Sequence, residues 1–223
     1  MRNKKLILLV YILVSIFVVS IINVKAAEQV KTLAVVANKD SYVDVGDPTA
    51  NFGGQDVMWA GITILSDLQE AYIEYPLTDE PENWTKAEIT FETYYVGQTI
   101  NVTISLVIEN WDENTITWIN KPSISEIITT LLIIGDQEYI IDISNYVDAR
   151  THFCICINAT TFLTEESFMI FGRTYSMTDW RPEIVWTYTQ TVPEFAIYGY
   201  STMFIIGLTC ALGIWLAKKT KIK

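Results

Sequence analysis

Between two long apolar runs at its ends, the chain reads as a series of short segments in which apolar and polar residues alternate. Ala71–Tyr75, Ala87–Val96, Ile100–Ile108, Tyr139–Ile143, Phe153–Ile157, Phe168–Phe171 and Ile184–Tyr188 are rich in β-branched and aromatic residues. Clusters of Gly, Asp, Asn and Pro separate them, which is the punctuation of strands and turns. No stretch between the ends keeps a helical apolar stripe. Roughly ten strands at this spacing predict an all-β, antiparallel β-sandwich, two sheets closing on one apolar core. Within Ala87–Val96 the alternation breaks at Tyr94-Tyr95, so a regular strand must turn one of these rings outward. No repeat or low-complexity tract interrupts the pattern. The reading is one domain over residues 28–189, followed by a short stalk at 190–195.

The ends differ in kind. Arg2, Lys4 and Lys5 precede an unbroken apolar stretch from Leu6 to Ile22, and Val24-Lys25-Ala26 offers small residues for a signal peptidase. Residues 1–27 therefore read as a secretory signal peptide, with an uncleaved anchor as the alternative because the apolar run is long. At the other end, Ala196–Ala217 is free of formal charge and long enough, at about 1.5 Å per residue, to cross a bilayer core of roughly 30 Å. Lys218, Lys219, Lys221 and Lys223 follow at once. Such a cluster stays cytoplasmic, which predicts a transmembrane helix at 196–217, a basic tail at 218–223 and an extracellular middle. Pro193-Glu194-Phe195 before this helix resembles the archaeal PEF-CTERM sorting signals. That resemblance implies that the helix can be exchanged for a lipid, leaving the outer domain anchored at the cell membrane either way. Gly207 and Ala211 give the helix a small-xxx-small pair that suits dimerisation, although such pairs are common in membrane helices.

Charge divides along the same boundary. The net charge is −11 overall, but all 26 acidic residues and only seven basic ones lie between Glu28 and Glu194, which gives that stretch −19. A surface of this sign repels phosphate, so nucleic acid is excluded as a partner, and cations, high external salt or plain solubility remain. Cys154 and Cys156 are two apart, hence on one face of a strand, and read as small buried hydrophobes; Cys210 falls in the apolar C-terminal run. Three sequons, beginning at Asn83, Asn101 and Asn158, lie in the predicted ectodomain and would mark it as a glycoprotein.

Four motifs carry a family resemblance. They are Asp40-Ser41-Tyr42-Val43, Pro48-Thr49-Ala50-Asn51-Phe52-Gly53, Trp111-Asp112-Glu113-Asn114-Thr115-Ile116-Thr117-Trp118-Ile119-Asn120-Lys121-Pro122, and Arg181-Pro182-Glu183-Ile184-Val185-Trp186-Thr187-Tyr188. In order and spacing they closely resemble the DNRLRE domain, a family also classed among carbohydrate-binding modules, with alginate-binding members. The resemblance implies a jelly-roll β-sandwich, with Trp111, Asp112, Trp118, Asn120, Pro122, Arg173 and Pro182 as structural motif residues. Where family members carry Ser-Arg-Glu, this chain has Gly172-Arg173-Thr174. Arg173 must then meet a neighbouring carboxylate or lie in solvent.

The candidate chemistry is that of binding. In the Trp111 motif the indole is expected to plug the end of the sandwich, Asp112 to cap the following turn, and Trp118 to be core. A sharper alternative gathers Asp40, Asp44, Asp47 and Asn51 with Asp112 or Glu113 as an oxygen cage for a structural calcium. Sugar binding needs exposed aromatic faces beside polar groups, for which Trp59, Trp84, Tyr94, Tyr95 and Trp180 are the candidates. Each has a plainer reading as a packing residue. An acidic domain suits neutral glycans or calcium-mediated contacts better than an acidic polysaccharide. The single histidine, His152, lies among apolar strand residues, and no nucleophile and base pair can be named, so the chain does not read as an enzyme. The expectation is a tethered, non-catalytic surface module for glycan or envelope polysaccharide. The alternative is a structural or adhesive protein that contacts other cell-envelope proteins.

Overall fold

The computed structural model describes residues 27–63, 67–96, 99–147, 150–159 and 167–192. Both apolar termini, and with them the expected signal peptide and transmembrane helix, lie outside these residues. Among the described residues no helix is long and apolar enough to cross a membrane. Residues 31–188 form one compact unit.

The described residues form eleven strands: β1 Ala27–Val36, β2 Lys39–Asp44, β3 Val57–Ile62, β4 Leu68–Pro76, β5 Trp84–Val96, β6 Ile100–Val107, β7 Ile124–Ile133, β8 Glu138–Asp142, β9 His152–Ala159, β10 Ser167–Phe171 and β11 Glu183–Val192. All seven expected strands are present. β11 continues to Val192, so residues 190–192, expected to be stalk, are strand. The hydrogen-bonded order is β1-β11-β5-β10-β3-β4-β9-β6-β7, with β2 added to β4 and β8 to β5. Every pairing resolved among β2–β11 is antiparallel. The result is an all-β curled sheet consistent with the expected sandwich.

The alternation seen in the sequence points one side chain in two at the main core. Met58 and Ala60 of β3, Ile73 and Tyr75 of β4, Ile89 and Phe91 of β5, Phe168 and Ile170 of β10, and Trp186 of β11 all belong to it. β5 is long because it serves two neighbours along one edge. Residues 84–90 pair with β11 and residues 93–96 with β10, while β8 takes the opposite edge.

β4 is buried on both faces. Its second face carries Glu70, Tyr72 and Glu74, and the loop from Ile108 to Ser123 covers it. Trp111, Ile116 and the half-buried Trp118 of that loop form a smaller apolar cluster with Val43, Tyr72, Val107, Cys154 and Cys156. The Trp111 indole N–H donates to Cys154 Sγ at 3.0 Å. The indole thus covers the outside of a sheet; it does not plug the end of the sandwich as expected. Both buried glutamates have charged partners from this lid or its edge. Lys121 Nζ lies 2.6 Å from Glu70 and 3.4 Å from the Trp118 ring centre. Lys39 Nζ lies 3.0 Å from Glu74. A carboxylate left alone there would cost several kcal/mol, on the order of 3 or more.

The free thiols Cys154 and Cys156 are buried, as expected. Burial pushes the Cys154 thiol up to about 12 and Cys156 in the same direction.

Candidate functional site

On the outer side of β3, β10 and β5 the strand registers line up a row of large side chains. Met169 of β10 faces Trp59 of β3 on one side and Tyr94 of β5 on the other. All three alternate with core residues, so they point away from the main core. The register shifts between Phe168 and Met169: Phe168 pairs with Val96 and Met169 with Tyr94, leaving Tyr95 as the extra residue of a β-bulge. The break in alternation at Tyr94-Tyr95 is this bulge. Tyr94, two residues beyond Glu92 and just before the bulge, stays on the outer face, where it is 50% exposed.

Phe171, two residues beyond Met169, lies on the same side and is roofed by the segment that follows. Its ring centre is 5.6 Å from Tyr94, 4.3 Å from Tyr175 and 4.9 Å from Trp180. A 3₁₀ turn at Thr178–Trp180 folds Trp180 back, and the Tyr175 and Trp180 rings lie 5.8 Å apart with only 8° between their planes. Flat, parallel, half-exposed rings are what the C–H face of a pyranose stacks on. Of the five aromatic candidates, the structure gathers Trp59, Tyr94 and Trp180 on this face. Trp84, at the start of β5, packs edge-on against Trp186 at 5.4 Å, and its indole N–H donates to Glu80. It packs against the core instead of joining the ring face. Tyr175 was not singled out in the sequence. Its signal was the run of rings at 171, 175 and 180 across a polar loop.

The loop that carries these rings is anchored by ions. Arg173 donates from Nε to Glu113 Oε1 at 3.0 Å and from Nη2 to Glu113 Oε2 at 2.5 Å. Its backbone N–H donates to Asp40 Oδ2, and its Nε lies 3.5 Å from Asp40 Oδ1. Glu113 Oε1 also accepts from the Asp40 backbone N–H at 3.1 Å. Of the two outcomes expected for Arg173, the structure shows the first: it meets a carboxylate, that of Glu113 in the Trp111 motif. A Cβ at Gly172 would lie 2.6 Å from Gln55 O and 2.9 Å from Asp40 Oδ2, and one at Gly53 would run into the Glu113 backbone. These glycines permit the close approach. Further bonds hold the loop: Thr174 Oγ1 donates to Gln55 O at 3.0 Å, and Arg181 Nε donates to Tyr175 O at 2.8 Å. Pro182 is buried behind it, and its carbonyl accepts from Ala37 N–H at 2.9 Å.

Burial, reinforced by Glu113, pushes the Asp40 carboxyl up to about 7, against the lowering contact with Arg173. Glu113 moves the other way: burial would raise it, but its bonds from Arg173 and Asp40 together hold it below its ordinary value. The two carboxyls thus divide roles, Glu113 carrying the charge that Arg173 matches.

The six oxygen-ligand candidates do not converge. Asp40 and Glu113 meet on Arg173. Asp44 accepts from Gly46 N–H and Gln69 Nε2, and Asp112 caps its turn through Asn114 N–H at 2.9 Å, as expected. Asp47 uses its backbone carbonyl to accept from Ala50. Asn51 Nδ2 donates to Glu113 O and Ile116 O, both at 2.8 Å, docking the Pro48–Gly53 motif onto the Trp111 motif. Among the described residues no group of three or more acidic, histidine or cysteine side chains is placed to hold a metal. Asn120 closes the Trp111 motif, accepting from Thr117 and donating to Thr115 O, and Pro122 is buried beside it. Of the sequons, Asn83 and Asn101 are exposed, whereas Asn158 is half-buried and accepts from the Thr103 hydroxyl.

An antiparallel β fold that presents stacked rings beside polar side chains has the architecture of a carbohydrate-binding module. Residues 31–166 match the model of carbohydrate-binding module family 96, and the chain belongs to that family. No curated protein matches it.

Proposed function

We propose that the chain is a non-catalytic surface module that binds glycan or envelope polysaccharide through the ring face of β3, β10 and β5. The carrying observation is the parallel stack of Tyr175 and Trp180 over Phe171, continued across the sheet by Tyr94, Met169 and Trp59. Family membership supports the ligand class. The lysine-flanked apolar C-terminus, with its PEF-CTERM-like Pro193-Glu194-Phe195, supports tethering of the domain on the outside of the cell membrane. Protease added to intact cells should then remove residues 31–188, and their full protection would defeat the tethered arrangement.

Binding is tested by co-sedimentation of the full chain with insoluble polysaccharides of neutral, amino-sugar and uronate type. Trp180→Ala should abolish retention, and Trp84→Ala should leave it in any variant that folds. A second reading, adhesion to envelope proteins, is favoured by the edge strand β7, where Ile127 and Leu132 are well exposed. Loss of a partner protein on Ile127→Lys, with glycan retention absent in the wild type, would select it.

A further inference from the structure

The ring face does not end at Tyr94. Along β5, Thr90 and Glu92 point to the same side as Tyr94, because residues two apart share a face. Glu92 pairs with Glu138 of β8, and Thr90 pairs with Glu183 of β11 on one edge and Ile140 of β8 on the other. Three carboxylates from three adjacent strands therefore border the rings, and Asp179 of the 3₁₀ turn that carries Trp180 adds a fourth. Glu138 and Asp179 are exposed, Glu92 and Glu183 half-buried.

Resting on the glycan-binding reading above, we propose that this face takes an amino-sugar polymer, its rings stacking on Trp180 and Tyr94 while free amines meet Glu92, Glu138 and Glu183. Among the described residues the row has no matched cation of its own. Lys86, farther along the same face of β5, is held by Glu88 at 2.6 Å, and Arg181 Nε is used by the Tyr175 carbonyl. Burial raises the Glu92 and Glu183 carboxyls, and the neighbouring Glu138 and Asp179 charges raise them further. An ammonium placed among these groups relieves that repulsion, whereas a uronate adds to it. Hydroxyls of a neutral sugar are served by the same oxygens, with less attraction.

The full chain in detergent is titrated, in mildly acidic low-salt buffer, with hexamers of glucosamine, N-acetylglucosamine and mannuronate. The glucosamine hexamer should bind about tenfold more tightly than the acetylated one, an advantage that shrinks as salt is added. Mannuronate should bind weakest. The E92Q/E138Q variant should lose the advantage, its affinity for glucosamine hexamer falling to that for the acetylated hexamer. Trp180→Ala should lose the glucosamine hexamer altogether; persistent binding there would mean bulk charge attraction and would overturn the assignment. Equal or tighter binding of the acetylated or mannuronate hexamer, abolished by Trp180→Ala, would overturn the amino-sugar class and leave the ring face as the glycan site. Failure of all three hexamers to bind would overturn the glycan-binding reading itself.

Discussion

Arg173 holds two acidic side chains from distant parts of the chain, and the segment it sits on carries Tyr175 and Trp180, rings of the proposed binding face. Arg173→Met would leave Glu113 and Asp40 facing each other without a cation, a loss of about 2–4 kcal/mol in urea unfolding. Arg173→Lys, which keeps charge but loses the paired donors, should cost less. Asp40 gives a pH signature. Its folded value near 7 stands above its ordinary 3.8, so the folded state keeps a proton that the unfolded state releases. Stability from this group is then complete below about pH 4, declines as pH rises towards 7 and is flat above. Asp40→Asn should remove that slope in unfolding curves taken across the interval; an unchanged slope would contradict the assignment. The sequence left open whether Arg173 meets a carboxylate or lies in solvent. It did not show that Glu113, sixty residues away, is its partner, because that pairing depends on how two loops meet at the end of β10.

The loop from Ile108 to Ser123 acts as a lid on β4. Trp111→Ala should cost about 3–5 kcal/mol by opening a cavity over Tyr72 and Cys154. Peptide-resolved thiol labelling should show Cys154 reacting at once in that variant and only through unfolding in the wild type. Equal labelling in both would mean that the indole is not the cover. Strands with one buried face, such as β5 and β10, were legible from period-two alternation, whereas β9, buried on both faces, was legible as a continuous apolar run. β7 was not: its Ile-rich sequence is largely exposed, and two register shifts against β6 break its period. β1, β2 and β3 were also missed, β3 because Gly61 and the small Ala60 dilute a six-residue signal. The Trp111 motif was recognised as a unit, but its position was not, since alternation says which face a residue takes and not which loop covers that face. The bulge at Tyr95 had a visible trace, the doubled tyrosine. The convergence of Tyr94 with Tyr175 and Trp180 had none beyond the recurrence of aromatic residues.

Among the described residues, this strongly acidic β domain gathers Tyr94, Phe171, Tyr175 and Trp180 beside one another and sets its ion pairs on Glu70, Glu74 and Glu113. Arg173 with Glu113, and the lid with Glu70 and Glu74, stabilise the scaffold, while the outer faces of β3, β10 and β5 form the proposed ligand face. The distinction is spatial, so the deciding measurement is spatial too: hydrogen-exchange mass spectrometry of the full chain with and without a retained oligosaccharide. Slowed exchange confined to residues 90–96 and 171–183 is the predicted result. Slowing confined to the lid at 108–123 or to β7, with residues 171–183 unchanged, would contradict it.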